Sequence, residues 1–276
     1  MEVLENTRVL TLATNLPGPL AVARLRSMGA RVRKIEPPTG DLLERARPEW
    51  YRTLHEGIDV ERQDLKGSAG RARLEAVLQE TDLLVTASRP SSLARLGLGW
   101  DDLHARLPLL SHLAIVGNPA PEEELPGHDL LYQAGQGLVL PPELPRTCLA
   151  DLGGALEAVI AALQLVLARR AGEPGRRWPV SLAESASWFA EPLRRGLTAP
   201  GGMLGGGFGG YRIYLTKQGW IAVAALEPQF QKALADETGV SDLDPAALQE
   251  LFLTRTAAEW VRVAREKDLP LAEVGA

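Results

Sequence analysis

Residues 8–36 place the tightest limit on what this chain can fold into. RVLTLA (8–13) is a short apolar run with β-branched content and reads as a buried strand. Two prolines and a glycine break it at 15–19. Apolar residues at helical spacing follow over 20–28, and Gly29 marks a stop. RVRKIE (31–36) then alternates as a strand should and is closed by PPTGD (37–41). Strand, helix and strand in about thirty residues is the βαβ unit of a parallel sheet.

The pattern recurs. An amphipathic helix is predicted over 70–80, a strand at DLLVTA (82–87), short helices over 91–94 and 101–106, and strands at LAIVG (113–117) and RRWPVSLA (176–183). Such alternation predicts an α/β fold with a large Rossmann-like parallel-sheet domain that takes its ligand at the strand C-terminal ends. No G-x-G-x-x-G follows the first strand, where the glycine stands between prolines in Pro17-Gly18-Pro19. A dinucleotide-binding dehydrogenase is therefore unsupported.

Residues 151–170 read as the longest helix, apolar around most of its circumference and so buried in a core or at a subunit interface. Seven glycines between 201 and 210 indicate a flexible joint or lid. The expected division is a large α/β domain over 1–198, a Gly-rich linker or lid over 199–210 and a small α+β domain over 211–276. The small domain would hold a hairpin (211–215 and 220–225) and helices from Glu227 and Asp244 onward.

The net charge of −5 argues against a nucleic-acid or anionic-membrane partner. Cys148 is the only cysteine, so no internal disulfide can form and a cytoplasmic setting is expected. Cys148 itself reads as a small half-buried strand residue. The N-terminus has no basic stretch followed by an apolar one. The apolar segment 155–168 contains Glu157 and Gln164 and reads as too short to span a bilayer.

Three titratable groups stand at predicted segment ends: His128 in PGHDL (126–130), Asp151 at the start of the long helix, and Glu227 after the last hairpin. Such a set suits proton transfer. Each also has a plain structural reading. His128 would be a loop histidine, with Asp129 orienting it or closing the turn; Asp151 would be a helix N-cap, and Glu227 a solvated helix start before Pro228.

Seven stretches in order carry a family resemblance: Leu16-Pro17-Gly18-Pro19, KIEPPTGD (34–41), DLK (64–66), RPSSLARLGLGWDDL (89–103), PGHDLLYQAGQG (126–137), ADLGG (150–154) and AALEPQF (224–230). On these the chain resembles the class III CoA-transferase and α-methylacyl-CoA racemase family (CaiB/BaiF-like) across nearly its whole length. The resemblance implies an acyl-CoA or CoA ligand, no metal, no cofactor beyond coenzyme A as part of the substrate, and a homodimer of interlocked chains. In the racemase branch the residues matching His128, Asp151 and Glu227 exchange the proton beside the thioester carbonyl. In the transferase branch the residue matching Asp151 is a nucleophile that forms an acyl anhydride and then a CoA thioester. Lys66, Arg89 and Arg95 match positions that hold CoA.

Under this reading the helix dipole keeps Asp151 ionised, and helix-start amides near Gly153 and Gly154 are offered to an enolate oxygen. His128 and Glu227 favour α-carbon proton exchange; the glycine run favours CoA transfer. The segment before DLK is acidic here (Asp59, Glu61) where the family carries a basic pair, and the family's return segment beyond the small domain does not appear in this sequence. A third expectation is thus a shortened, non-catalytic acyl-CoA-binding relative.

Overall fold

A computed structural model describes residues 2–275 and divides into two compact units, Met1–Phe189 and Ala190–Ala276. The first is built on six strands: β1 (Arg8–Thr11), β2 (Arg31–Glu36), β3 (Asp59–Arg62), β4 (Leu83–Thr86), β5 (Ser111–Val116) and β6 (Arg177–Ser181). All five pairings are parallel, in the order β3-β2-β1-β4-β5-β6. This is the doubly wound order expected of a Rossmann-like sheet, and the chain reverses its direction of winding between β1 and β4. Val9, Leu83, Val85, Leu113 and Ile115 pack on one face; Leu10, Ile35, Leu84 and Leu110 pack on the other.

The first helix, Pro17–Ser27, begins where the sequence predicts a break. Proline is tolerated there because the first-turn amides have no partner within the helix. Gly18 is needed for the helix to meet the strand, since a Cβ at that position would stand 2.2 Å from Ala13 Cβ.

The helix Leu149–Arg170 starts two residues earlier than expected, with Cys148 as its N-cap. Cys148 is therefore no strand residue. By length and composition this helix is long and apolar enough to cross a membrane, contrary to the shorter segment read from the sequence; within the unit 56% of its apolar window is buried. Gly153, Gly154, Ala158, Ala161 and Ala162 make the buried face, small enough to lie close against the unit's core. The helix is not buried all round, since Leu156, Ile160 and Leu167 are 46%, 48% and 63% exposed. Two of them, Leu156 and Ile160, line a groove of about 640 Å³ with Trp178, Val180, Trp188 and Phe189.

The second unit is the expected small α+β domain. It has an antiparallel sheet of β7 (Tyr211–Leu215), β8 (Trp220–Ala224) and β9 (Leu271–Glu273), packed with helices Pro228–Thr238, Pro245–Phe252 and Ala257–Lys267. Tyr214 stacks on Phe252 at its centre, Phe252 meets Trp260 edge-to-face, and Trp260 Nε1 donates to Phe252 O at 3.0 Å. The glycine run folds on itself: Gly205 and Gly207 amides each donate to Gly202 O at 2.9 Å. A Cβ at Gly205 would stand 1.8 Å from Ala199 O, so these glycines serve close backbone packing.

Candidate active site

Because the strands are parallel, their carboxyl ends share one edge of the sheet, where ligands bind in open α/β folds. The long helix runs back toward the start of β6, so its first turn lies at that edge. The segment between β5 and this helix carries a short helix, Asp129–Gly135. Tyr132 on it packs against the chain just past β5, where a Cβ at Gly117 or Gly127 would meet its hydroxyl at 2.2 or 2.3 Å. Burial, and then the charge of Asp151, raise the pKa of this phenol.

Asp129 is buried and has both carboxylate oxygens engaged. Oδ2 accepts from Gln133 Nε2 at 2.5 Å, and Oδ1 accepts from the Asp151 amide at 3.1 Å. Gln133 also donates to Thr147 O at 2.9 Å. Asp129 thus acts as the cap for the long helix. Asp151 is that helix's third residue rather than its N-cap. Its carboxylate makes no hydrogen bond and no ion pair among the described residues. Burial, reinforced by the Asp129 charge, raises its pKa from 3.8 to about 6. The helix dipole expected to hold it low is outweighed by burial and, second to it, by the neighbouring anion Asp129. Roughly nine in ten copies are still ionised at neutral pH. A desolvated, unpaired carboxylate is an activated nucleophile or a base.

Two of the helix-start amides expected to receive an enolate oxygen are taken. Asp151 donates to Asp129, and Leu152 N donates to Cys148 O at 2.9 Å. Gly153 and Gly154 are buried inside the helix, and their missing side chains serve packing. A Cβ would stand 2.4 Å from the Phe189 ring or 2.3 Å from Leu182 Cδ2.

One potential ligand atom each from Asp129, Cys148 and Asp151 lies within 4.8 Å of the others, a spacing a metal ion could use. The Cys148 thiol is pushed up by burial and by both acids, which works against thiolate ligation or attack. His128 is exposed at the N-cap of the short helix, and its imidazole has no hydrogen bond among the described residues. Glu227 is the exposed N-cap of Pro228–Thr238, in the other compact unit from Asp151. Lys66, Arg89 and Arg95 are exposed; Arg95 donates to Ser92 Oγ at 3.0 Å, and Arg89 faces the charge of Glu124. Sequence reasoning gave Asp129 the role of orienting His128 or closing the turn, and missed Gln133. The signal was present, because Asp129 and Gln133 are four apart, the spacing of neighbours on one helix face.

A six-stranded parallel sheet of this order, a small antiparallel unit and a buried aspartate at a helix start past β5 define an α/β enzyme scaffold. The chain matches the model of CoA-transferase family III over residues 4–276 and belongs to that family. Among curated proteins it is 29% identical over 179 residues to succinyl-CoA–D-citramalate CoA-transferase of Chloroflexus aurantiacus, covering 60% of this chain and 44% of that protein. It is also 29% identical over 181 residues to a probable fatty acyl-CoA transferase of Mycobacterium tuberculosis, covering 58% of this chain and 46% of that one. The chain thus spans about half the length of both. Cinnamoyl-CoA:phenyllactate CoA-transferase of Clostridium sporogenes is matched over 98% of this chain and 77% of its own length, at 26% identity. A crystal structure of the Mycobacterium tuberculosis protein Rv3272 shares the fold at TM-score 0.87 and 24% identity, covering all of this chain and 85% of that one.

Proposed function

We propose that this chain transfers coenzyme A between carboxylic acids, with Asp151 as the covalent nucleophile. The carrying observation is a desolvated carboxylate with no partner of its own, beside a second carboxylate whose oxygens are both engaged. Asp151 attacks the thioester carbonyl, the C–S bond breaks, and CoA leaves as the thiolate from a mixed anhydride. The thiolate then attacks the aspartyl carbonyl, giving an aspartyl-CoA thioester and releasing the donor acid as its carboxylate. An incoming carboxylate reverses both steps and departs as the new thioester. The names of the curated relatives support the same reading. Lys66, Arg89 and Arg95 are the proposed cations for the CoA phosphates. The exposed apolar groove supports a homodimer, and the lone cysteine a cytoplasmic setting.

Incubation with acyl-CoA followed by hydroxylamine is the test. A hydroxamate at Asp151, found by peptide mass and absent from Asp151→Asn, is expected. A second reading, α-carbon proton exchange by His128, Asp151 and Glu227, draws on the same raised pKa, which also suits a base. Deuterium entering the α-carbon with no adduct at Asp151 would replace the first reading with the second.

A further inference from the structure

A second set of ionisable side chains lies inside the first unit, and the transfer chemistry does not use it. Lys34, on β2, is fully buried. Its ammonium donates to Asp41 Oδ2 at 2.7 Å and to His55 Nε2 at 2.9 Å, and it forms an ion pair with Glu36 Oε1 at 2.8 Å. An ammonium has N–H donors and no acceptor, so the His55 Nε2 facing it must accept. His55 must then keep its proton on Nδ1, which donates to Tyr51 O at 2.7 Å, and the ring is neutral. Burial lowers its pKa accordingly. Tyr51 donates its hydroxyl to Glu36 Oε1 at 2.7 Å. Asp41 turns its other oxygen to the backbone, where Oδ1 accepts from Leu43 N and from Asn15 N, both at 3.0 Å.

The bond to Asn15 carries the cluster's reach beyond its own segment. Every other partner lies between Lys34 and His55, apart from Arg62 at the rim, 3.7 Å from Glu36 Oε2. Asn15 stands in the turn between β1 and the helix Pro17–Ser27, at φ 69°. A residue other than glycine persists in that left-handed region where its surroundings hold it. The turn follows β1, and β1 and β4 are the neighbours at which the winding reverses, so it forms one wall of the crevice that takes ligands in this fold. A buried cation with two carboxylates adds little stability over an apolar replacement, because each ion must leave water. What such a cluster does supply is direction.

We infer that Lys34 and Asp41 are positioning residues for ligand binding. They fix the Asn15 turn in the shape that receives the CoA part of the thioester. Both are fully buried, so neither touches the ligand. The identity of that ligand rests on the CoA-transfer reading; the clamp on the turn does not.

The test compares Asp41→Ala and Asp41→Asn with the wild type in the full chain, by amide hydrogen exchange of peptides spanning 12–17, calorimetric binding of CoA, and steady-state kinetics. Of the three hydrogen bonds that Asp41→Ala removes, the half-buried one from Asn15 N bears on 12–17, and its loss should speed exchange there about tenfold. CoA Kd and KM should rise about as much, while kcat stays within about threefold, since the Asp151 group is untouched. Asp41→Asn keeps an oxygen for Asn15 and should fall between; it stands in if the alanine variant fails to fold. Unchanged exchange at 12–17 in a folded variant overturns the clamp. So does a fall in kcat with KM and Kd unchanged. A wild-type chain that binds no CoA overturns the transfer reading and the ligand assignment together, and exchange then still decides the clamp alone.

Discussion

Replacing Asp151 by asparagine should make the protein more stable at neutral pH while abolishing transfer. The carboxyl's pKa is about 6 in the folded chain against 3.8 for the free group, a rise of roughly two units. A raised acid binds its proton more tightly when folded, so the folded state is favoured as pH falls from above 6 to below 3.8. Conversely, at pH 7.5 the ionised carboxylate opposes folding. Two units convert to roughly 3 kcal/mol, which partial exposure reduces to about 1–2 kcal/mol. For a unit of this size that is an upward Tm shift of about 3–6 °C. Asparagine has nearly the same shape and no charge to set beside Asp129. Its amide adds a pH-independent attraction to that acid, so the pH-dependent part of the difference is the diagnostic quantity. The assay is thermal unfolding of both proteins at pH 7.5 and pH 4.0. The advantage of Asp151→Asn should shrink by most of its value at the lower pH. An advantage equal at both pH values, or none at pH 7.5, would refute a strained carboxylate and remove the physical basis for its reactivity.

Two further outcomes are expected. His112 on β5 is buried, its Nε2 lies 2.9 Å from Thr86 Oγ1, its Nδ1 has no partner, and burial pushes its pKa down to about 4. Its stabilising neutral form is lost as pH falls, so the wild type should lose up to about 3 kcal/mol relative to His112→Leu between pH 6.5 and pH 4, read by urea unfolding at each pH. Gly153→Ala should lower stability by about 1–3 kcal/mol through the collision with Phe189, and adding Phe189→Leu should recover part of the loss in the same melting assay.

The strands were readable because each is a short apolar or alternating run bounded by turn residues, and β1, β2, β4, β5 and β6 fall close to their predicted ranges. β3 and the three-residue β9 carry too little pattern to stand out as strands. The first helix was cut short because Pro17 and Pro19 look like breakers; only the contact of Gly18 with Ala13 explains why the helix begins there. Moving the start of the long helix back by two residues changed the chemistry at Asp151. It turned a presumed cap into a third helical residue and handed its amide to Asp129. The Lys34 cluster was legible only as the stretch KIEPPTGD, not as a cluster. Its partners Glu36, Asp41 and His55 lie two, seven and twenty-one residues away, and each alone looks like an ordinary solvated residue.

The same comparison bears on the start of the first helix, where doubly wound sheets can hold a dinucleotide phosphate. In that site a phosphate sits on free amides at the start of the first helix. Pro17 and Pro19 remove two of those donors, and the Asn15 amide just ahead of them is taken by Asp41. At the long helix the Asp151 amide is taken by Asp129 in the same manner. At both helix starts the chain's own carboxylate fills a place an external anion would need. Beside its occupied amide, the Asp151 carboxylate itself keeps no partner among the described residues. On the transfer reading proposed above, chemistry at Asp151 runs through a bond to that side chain.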